Sequence, residues 1–464
     1  MPNSHEMRDL IVLLPGIMGS VLKKDNKVVW GFSPGAMTRA LFTGGGAIAS
    51  ALEMKGDDPT RDTLGDGVTA DALLPDLHLL PGFWKIDGYS AITQFIESTF
   101  DAELGKNFRV FPYDWRRDNR AAARKLQRDT HAWLQEWRLQ SPNAKLILIA
   151  HSMGGIVSRY FLDVLEGWKD TKALITFGTP YRGSLNALDT LSNGLRKGPI
   201  TLDRLSEFCR SCTSIYQLLP IYPVYDDGGG KPLRVGEITG IPGVDSGRAK
   251  DALAVHREIM TAVDNNLKVE AYRNGRYKLF PIVGNVQSTL QSAVLQNGKV
   301  ILSPSLEKVD NSGDGTVPRV SAIPHEYSKA DNATFAAMKH GSLQNTPSLL
   351  EHLEGVITGL DLDLGKFLAP DKRVQLSLNA GDVYFTDEPV TIGVDAGEDR
   401  LDLKARIIDG VTNTQVAERD MRDNRDGTYS ADCGLLKEGS YRVEVGGTLA
   451  ATVADSFGVS ERVS

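Results

Sequence analysis

The chain has 464 residues, 41% hydrophobic and 24% charged, the composition of a globular protein of two or three ordinary domains. Its formal net charge of −7 is uneven: residues 371–464 hold 11 Lys+Arg against 18 Asp+Glu, and the rest holds 41 of each. A neutral body with an acidic tail argues against a nucleic-acid partner and against electrostatic docking on anionic lipid.

Met1 to Leu14 has no basic n-region and no small-residue cleavage site. No apolar run approaches the ~20 residues of a membrane helix. The expectation is a soluble, cytoplasmic chain, peripheral at most on a membrane. Residues 9–14 (Asp-Leu-Ile-Val-Leu-Leu) read as a buried parallel strand. It runs into Pro15-Gly16-Ile17-Met18-Gly19-Ser20, a glycine-rich loop at a strand's carboxyl end, where open α/β sheets bind ligands. Residues 35–83 read as irregular yet too apolar for a solvated loop. Two readings stand for them: a cap edge that touches lipid, or packing on the body. A helix is expected over 88–100, a strand over 109–112, and a long amphipathic helix over 119–139.

The next strand is an apolar run, Leu146-Ile147-Leu148-Ile149. Ala150-His151-Ser152-Met153-Gly154-Gly155 follows, and then the helical pattern Ile156, Val157, Tyr160, Phe161, Val164, Leu165. Strand, sharp turn with a serine, then helix is the context of a nucleophile elbow, with Ala150 in place of the usual first glycine. Residues 173–177 form another buried strand. Strands alternating with helices imply right-handed crossovers and a mostly parallel sheet with helices on both faces. Residues 185–275 break that rhythm and read as a cap or lid insertion, with an apolar helix face at Leu253, His256, Ile259, Met260, Val263 and Leu267. Cys209 and Cys212 lack the second pair that a zinc site needs. With Cys433 they read as reduced cysteines, a local disulfide between the first two being the alternative. Residues 277–283 resume the sheet, and Asn297-Gly298 marks a hairpin. A closing helix carries Leu349, Leu350, Leu353 and Val356. Past a linker at Ala369-Pro370, short alternating strands at Val374–Leu378, Val390–Val394, Leu401–Ala405 and Tyr441–Val445 suggest a β-sandwich.

A serine hydroxyl needs an imidazole to take its proton, and the imidazole needs a carboxylate to fix its tautomer. In the order serine, acid, histidine, the acid candidates are Asp314, in the glycine-flanked Gly313-Asp314-Gly315, and Asp310. The base candidates are His340, beyond the last expected strand, then His325 and His352. His151, beside the serine, reads as a packing residue. The oxyanion requires two backbone N–H groups: Met153 after the nucleophile, and Met18 in the first loop, with Ile17 as its competitor. No metal or phosphate-binding motif is present, so the chemistry is expected to need no cofactor and no metal.

The motifs, taken together and in order, resemble the lecithin:cholesterol acyltransferase and lysosomal phospholipase A2 family of α/β-hydrolases. They are Pro15 to Ser20, Pro81-Gly82-Phe83, Pro112-Tyr113-Asp114-Trp115-Arg116, Ala150 to Gly154, Gly178-Thr179-Pro180-Tyr181-x-Gly183-Ser184, Gly313 to Pro318, and His340. The resemblance covers roughly residues 8–365. It implies an α/β-hydrolase domain over 1–370, with insertions near 35–85 and 185–275. It implies catalytic Ser152, Asp314 and His340, with oxyanion amides at Met18 and Met153. The activity it implies is acyl transfer from a lipid ester to water or an alcohol, with neutral or small esters as the alternative substrates. Residues 371–464, an immunoglobulin-like sandwich similar in its Asp423 to Tyr429 and Glu438 to Val443 segments to filamin-type repeats, are read as a contact module. A reading of a different class follows from it, a scaffold whose sandwich recruits a protein partner or a second copy of the chain.

Overall fold

A computed structural model describes residues 4–31, 46–75, 78–80, 84–197, 200–327, 333–361 and 374–461. Its centre is a parallel sheet of β1 (Leu10–Leu14), β2 (Phe108–Val110), β3 (Leu146–His151), β4 (Thr171–Phe177), β5 (Lys278–Gly284) and β6 (Thr334–Ala336). The strands lie in the order β6-β5-β4-β3-β1-β2, and every pairing is parallel. All five residues of β1 and all six of β3 are buried. Strands covered on both faces have no polar side to alternate with, so they read as continuous apolar runs. Each such leucine or isoleucine contributes about 1.5–3 kcal/mol by leaving water. The helices of the body include α1 (Ser90–Thr99), α2 (Asn119–Trp137), α3 (Met153–Arg159), α4 (Ser246–Asn266) and α5 (Pro347–Thr358). The architecture is that of an α/β-hydrolase.

Three sequence expectations change or narrow. Residues 35–83 are not simply irregular: Gly46–Leu52 is a helix and Val68–Leu73 a strand. That strand pairs with Ser20–Lys24, which also pairs with Lys27–Trp30 around Asp25 and Asn26, both at positive φ. Second, of the two readings of the apolar residues within 35–83, packing on the body is the one that holds. Ile48, Leu52 and Leu74 are buried there, as are Leu253, His256, Ile259 and Val263 of α4. Third, the elbow helix stays α-helical only to Arg159 and then widens into a π turn over Tyr160–Val164. Pro81 to Phe83 and the linker at 369–370 lie outside the described residues.

The C-terminal part is a β-sandwich. Its strands are β7 (Ser377–Ala380), β8 (Val383–Phe385), β9 (Thr391–Asp395), β10 (Lys404–Asp409), β11 (Gln415–Asp420), β12 (Arg422–Asp423), β13 (Thr428–Asp432), β14 (Gly439–Gly447) and β15 (Ala450–Ser460). One sheet runs β7-β9-β13-β12, the other β8-β15-β14-β10-β11. Leu378, Ile392, Val394, Ile407, Tyr429, Val443, Val453 and Phe457 fill the space between them, one face of each strand, as period-2 patterning requires.

Candidate active site

Parallel strands bring their carboxyl ends to one edge of the sheet, and the sequence candidates gather there. β3 ends at His151, and Ser152 turns the chain into α3 with φ 52° and ψ −124°. That conformation costs a non-glycine residue roughly 1–3 kcal/mol, and the surroundings hold it. The Ser152 N–H donates to the Phe177 carbonyl at 2.8 Å, and the Thr179 hydroxyl donates to the Ser152 carbonyl at 2.9 Å. Ala150 is fully buried and pairs with Leu14 and Thr176 across the sheet. A small residue suffices at this place.

His340 follows β6, and its Nε2 lies 2.8 Å from Ser152 Oγ. Its Nδ1 lies 2.7 Å from Asp314 Oδ2. The other carboxylate oxygen, Oδ1, accepts the N–H groups of Thr316 and Val317 at 2.9 and 2.6 Å. The His340 N–H in turn donates to the Asp314 carbonyl at 2.9 Å. One carboxylate therefore orients the imidazole while its own loop orients it. Ser152, His340 and Asp314 are 1%, 2% and 1% exposed, so their interactions are little weakened by water. Gly178 sits beside them at φ 58°, where a Cβ would fall 2.9 Å from both Asp314 Oδ2 and His340 Nδ1.

The other candidates fall elsewhere. Asp310 is bound by Gln291 and the Ser312 N–H. His325 pairs with Glu326, and His352 with the Thr334 hydroxyl. Cys209, Cys212 and Cys433 are free and buried, and burial raises the pKa of each thiol. Among the described residues no His, Cys, Asp and Glu cluster could hold a metal, and no helix is long and apolar enough to cross a membrane.

The Pro15–Ser20 loop lies directly over the serine: a Cβ on Gly16 would come within 2.8 Å of Ser152 Cβ. Met18 has φ 61° and is buried, and its carbonyl accepts the Trp30 indole N–H at 2.9 Å. Met153 is the first residue of α3, where an N–H has no partner within the helix. Tyr113-Asp114-Trp115-Arg116 braces the loop from outside. Tyr113 Oη donates to the Pro15 carbonyl at 2.9 Å, and the Trp115 indole to the Ser20 carbonyl at 3.2 Å. Buried Arg116 is paired with Asp114 and Asp66.

Sequence reasoning missed one group here. Tyr89 Oη accepts the Gly16 N–H at 2.8 Å and lies 2.9 Å from His151 Nδ1. His151 Nε2 is 3.1 Å from the His340 carbonyl oxygen. The His340 carbonyl can only accept, so Nε2 carries the hydrogen and donates to it; Nδ1 of the neutral ring then accepts from the Tyr89 hydroxyl, whose oxygen accepts the Gly16 N–H. Burial first, and His340 second, lower the His151 pKa to about 3, so the ring stays neutral. His151 is more than packing: with Tyr89 it ties the loop above the serine to the residue beside it. No local motif announces Tyr89. The tie is formed by residues 73 and 62 positions apart.

An α/β-hydrolase fold with a serine on a strained strand–helix turn, hydrogen-bonded through a histidine to an aspartate, is the class that fold and site define. Residues 84–349, more than half of the chain, match the lecithin:cholesterol acyltransferase family, and the chain belongs to it. The lysosomal phospholipase A and acyltransferase of Rattus norvegicus is 32% identical over 127 residues, 25% of this chain and 29% of that protein. The Homo sapiens protein of the same name matches to the same extent. The similarity thus spans less than a third of the length of these relatives. Among solved structures, one titled "The crystal structure of Tle4-Tli4 complex" shares the fold at a TM-score of 0.52 and 15% identity, over 78% of this chain and 99% of that one.

Proposed function

We propose that the protein is a serine esterase of phospholipase A or acyltransferase type, acting on lipid acyl esters through an acyl-enzyme on Ser152. The observation that carries this is the unbroken chain Ser152 Oγ, His340 Nε2, His340 Nδ1, Asp314 Oδ2, with links of 2.8 and 2.7 Å. Ser152 Oγ attacks the ester carbonyl while His340 Nε2 takes its proton, and Asp314 stabilises the imidazolium. In this reading the oxyanion is stabilised by the backbone N–H groups of Met18 and Met153, since donors fixed in the backbone need no reorganisation as charge develops. Collapse expels the alcohol portion with the proton from His340. In the second step His340 deprotonates water or an acceptor alcohol, which attacks the acyl carbon and frees Ser152.

Membership of the family supports a lipid substrate, and the names of the aligned relatives support both the hydrolase and the transferase outcome. Brief contact with a lipid surface, needed to collect such a substrate, belongs to the same proposal. The test is product analysis with phospholipid vesicles, with and without a long-chain alcohol. Free fatty acid alone identifies a hydrolase, and an added ester product identifies a transferase. Unchanged acyl release by Ser152→Ala overturns the assignment. A partner-recruiting scaffold has no use for the Ser–His–Asp chain, and no observation favours that reading.

A further inference from the structure

We propose that the C-terminal sandwich is a positioning element of the active site, holding the two loops that carry Asp314 and His340. The inference rests on the catalytic reading above. It departs from the sequence expectation of a contact module.

The first sign is a broken pattern. An outer sandwich strand should bury one face and wet the other. β11 is exposed along almost its whole length, yet ten of the eleven residues of β15 are buried. The sandwich core accounts for Val453, Phe457 and Val459. The opposite face carries Ala454, Ser456 and Gly458, small residues that allow close approach, and Ala454 belongs to the core of the hydrolase body.

What approaches is the histidine loop. The Ala454 N–H donates to Met338 Sδ at 3.2 Å, and the Lys339 N–H donates to the Ala454 carbonyl at 3.4 Å. Lys339 Nζ lies 3.2 Å from Asp455 Oδ2, and Ser342 Oγ lies 3.2 Å from Ser456 Oγ. His340 is bracketed on both sides by contacts to one strand of the sandwich. The body holds the His340 side of this loop, through the Asp314 carbonyl, His151 and the Asp87 N–H, which donates to the Gly341 carbonyl at 3.0 Å, but the strand that leads into it is weakly anchored: β6 is three residues long and is paired only with β5.

The acid's loop is held through Gln287, which is 1% exposed. Its backbone exchanges two hydrogen bonds with Gly313, at 3.0 and 3.1 Å, next to Asp314. Its side chain accepts the Leu378 N–H at 3.1 Å and donates to the Leu376 carbonyl at 3.3 Å, both in the first sandwich strand region. The same amide donates to the Ala337 carbonyl at 3.4 Å. One glutamine therefore joins the acid loop, the histidine loop and the sandwich. Displacement of a reacting group by about 1 Å costs on the order of a hundredfold in rate, so the strength of this clamp sets how often the Ser–His–Asp chain is aligned.

The test uses the full chain with a water-soluble short-chain ester and a fluorophosphonate that labels the nucleophilic serine. Labelling of the wild type at Ser152 establishes the catalytic reading independently; without it, that reading fails first. Given labelling, Gln287→Ala and Ala454→Arg are expected to lower kcat per titrated serine and the labelling rate together, by about tenfold to hundredfold, with KM within about twofold. Val416→Asp, on the exposed edge of the same sheet, is expected to leave all three unchanged. Should Ala454→Arg reduce the folded fraction, Gln287→Ala, which adds no bulk, decides. Gln287→Ala at wild-type kcat per titrated serine, or a loss confined to melting temperature and titratable serine, overturns the proposal.

Discussion

Two polar clusters meet at the carboxyl edge of the central sheet, and they are finished differently. Around Ser152, each named nitrogen and oxygen of Tyr89, His151, His340 and Asp314 has a partner within 3.1 Å. Where the sandwich meets the body, Asp87 Oδ2 and Arg442 Nε are buried without a hydrogen-bond partner among the described residues. Arg442 Nη1 stands 3.8 Å from Asp87 Oδ2, too far for a hydrogen bond. Burial accordingly pushes Asp87 up to about 6, against the opposing pull of Arg442. A satisfied network fixes one geometry, whereas an unsatisfied one costs stability. The Ser152 cluster is therefore held in one geometry, and the joint behind it has stability to gain.

The largest break in this comparison comes from the centre itself. Ser152→Ala is expected to lower kcat for acyl release by about 10⁴-fold or more, with little change in melting temperature, as read in a coupled ester assay and a thermal scan. Next comes Tyr89→Phe. Removing the hydroxyl leaves the Gly16 N–H and His151 Nδ1 buried and unpaired, at about 1–3 kcal/mol for each such group. Urea denaturation is expected to show a loss of about 2–3 kcal/mol, and kcat is expected to fall with KM held. A stability unchanged from wild type contradicts the relay.

The joint predicts the opposite sign. Asp87 has a folded pKa of about 6 against an ordinary 3.8. As pH rises through that window, the unfolded chain releases the proton first, so stability falls and the cost is complete above pH 6. At 1.36 kcal/mol per unit the cost reaches about 3 kcal/mol at most. Asp87→Asn is expected to flatten the stability profile between pH 4 and 6 and to raise stability at pH 7. A variant whose profile parallels the wild type contradicts the assignment. The smallest effect is expected at Val416→Asp, within about ±0.5 kcal/mol as for other exposed sites.

What the sequence showed follows the same division. β1 and β3 were legible because a strand covered on both faces is an apolar run, and Ser152, Asp314 and His340 were legible because small residues and chain order mark them. The strands on either side of Asp25-Asn26 have that two-residue turn as their one local sign. The polar partners Tyr89, Gln287 and Asp87 gave no local sign, since each acts on residues far along the chain. The contact of β15 with the body left one trace: small residues at 454, 456 and 458, where an outer sandwich face would ordinarily carry charge. Without the surface that covers them, that trace cannot be told from weak alternation.

The most direct measurement is rapid acid quench of the full chain turning over phospholipid vesicles, followed by peptide mass spectrometry. An acyl adduct is expected on the peptide bearing Ser152, absent in Ser152→Ala along with acyl release. Acyl release that persists in Ser152→Ala, or an adduct on another residue, contradicts the Ser152 assignment.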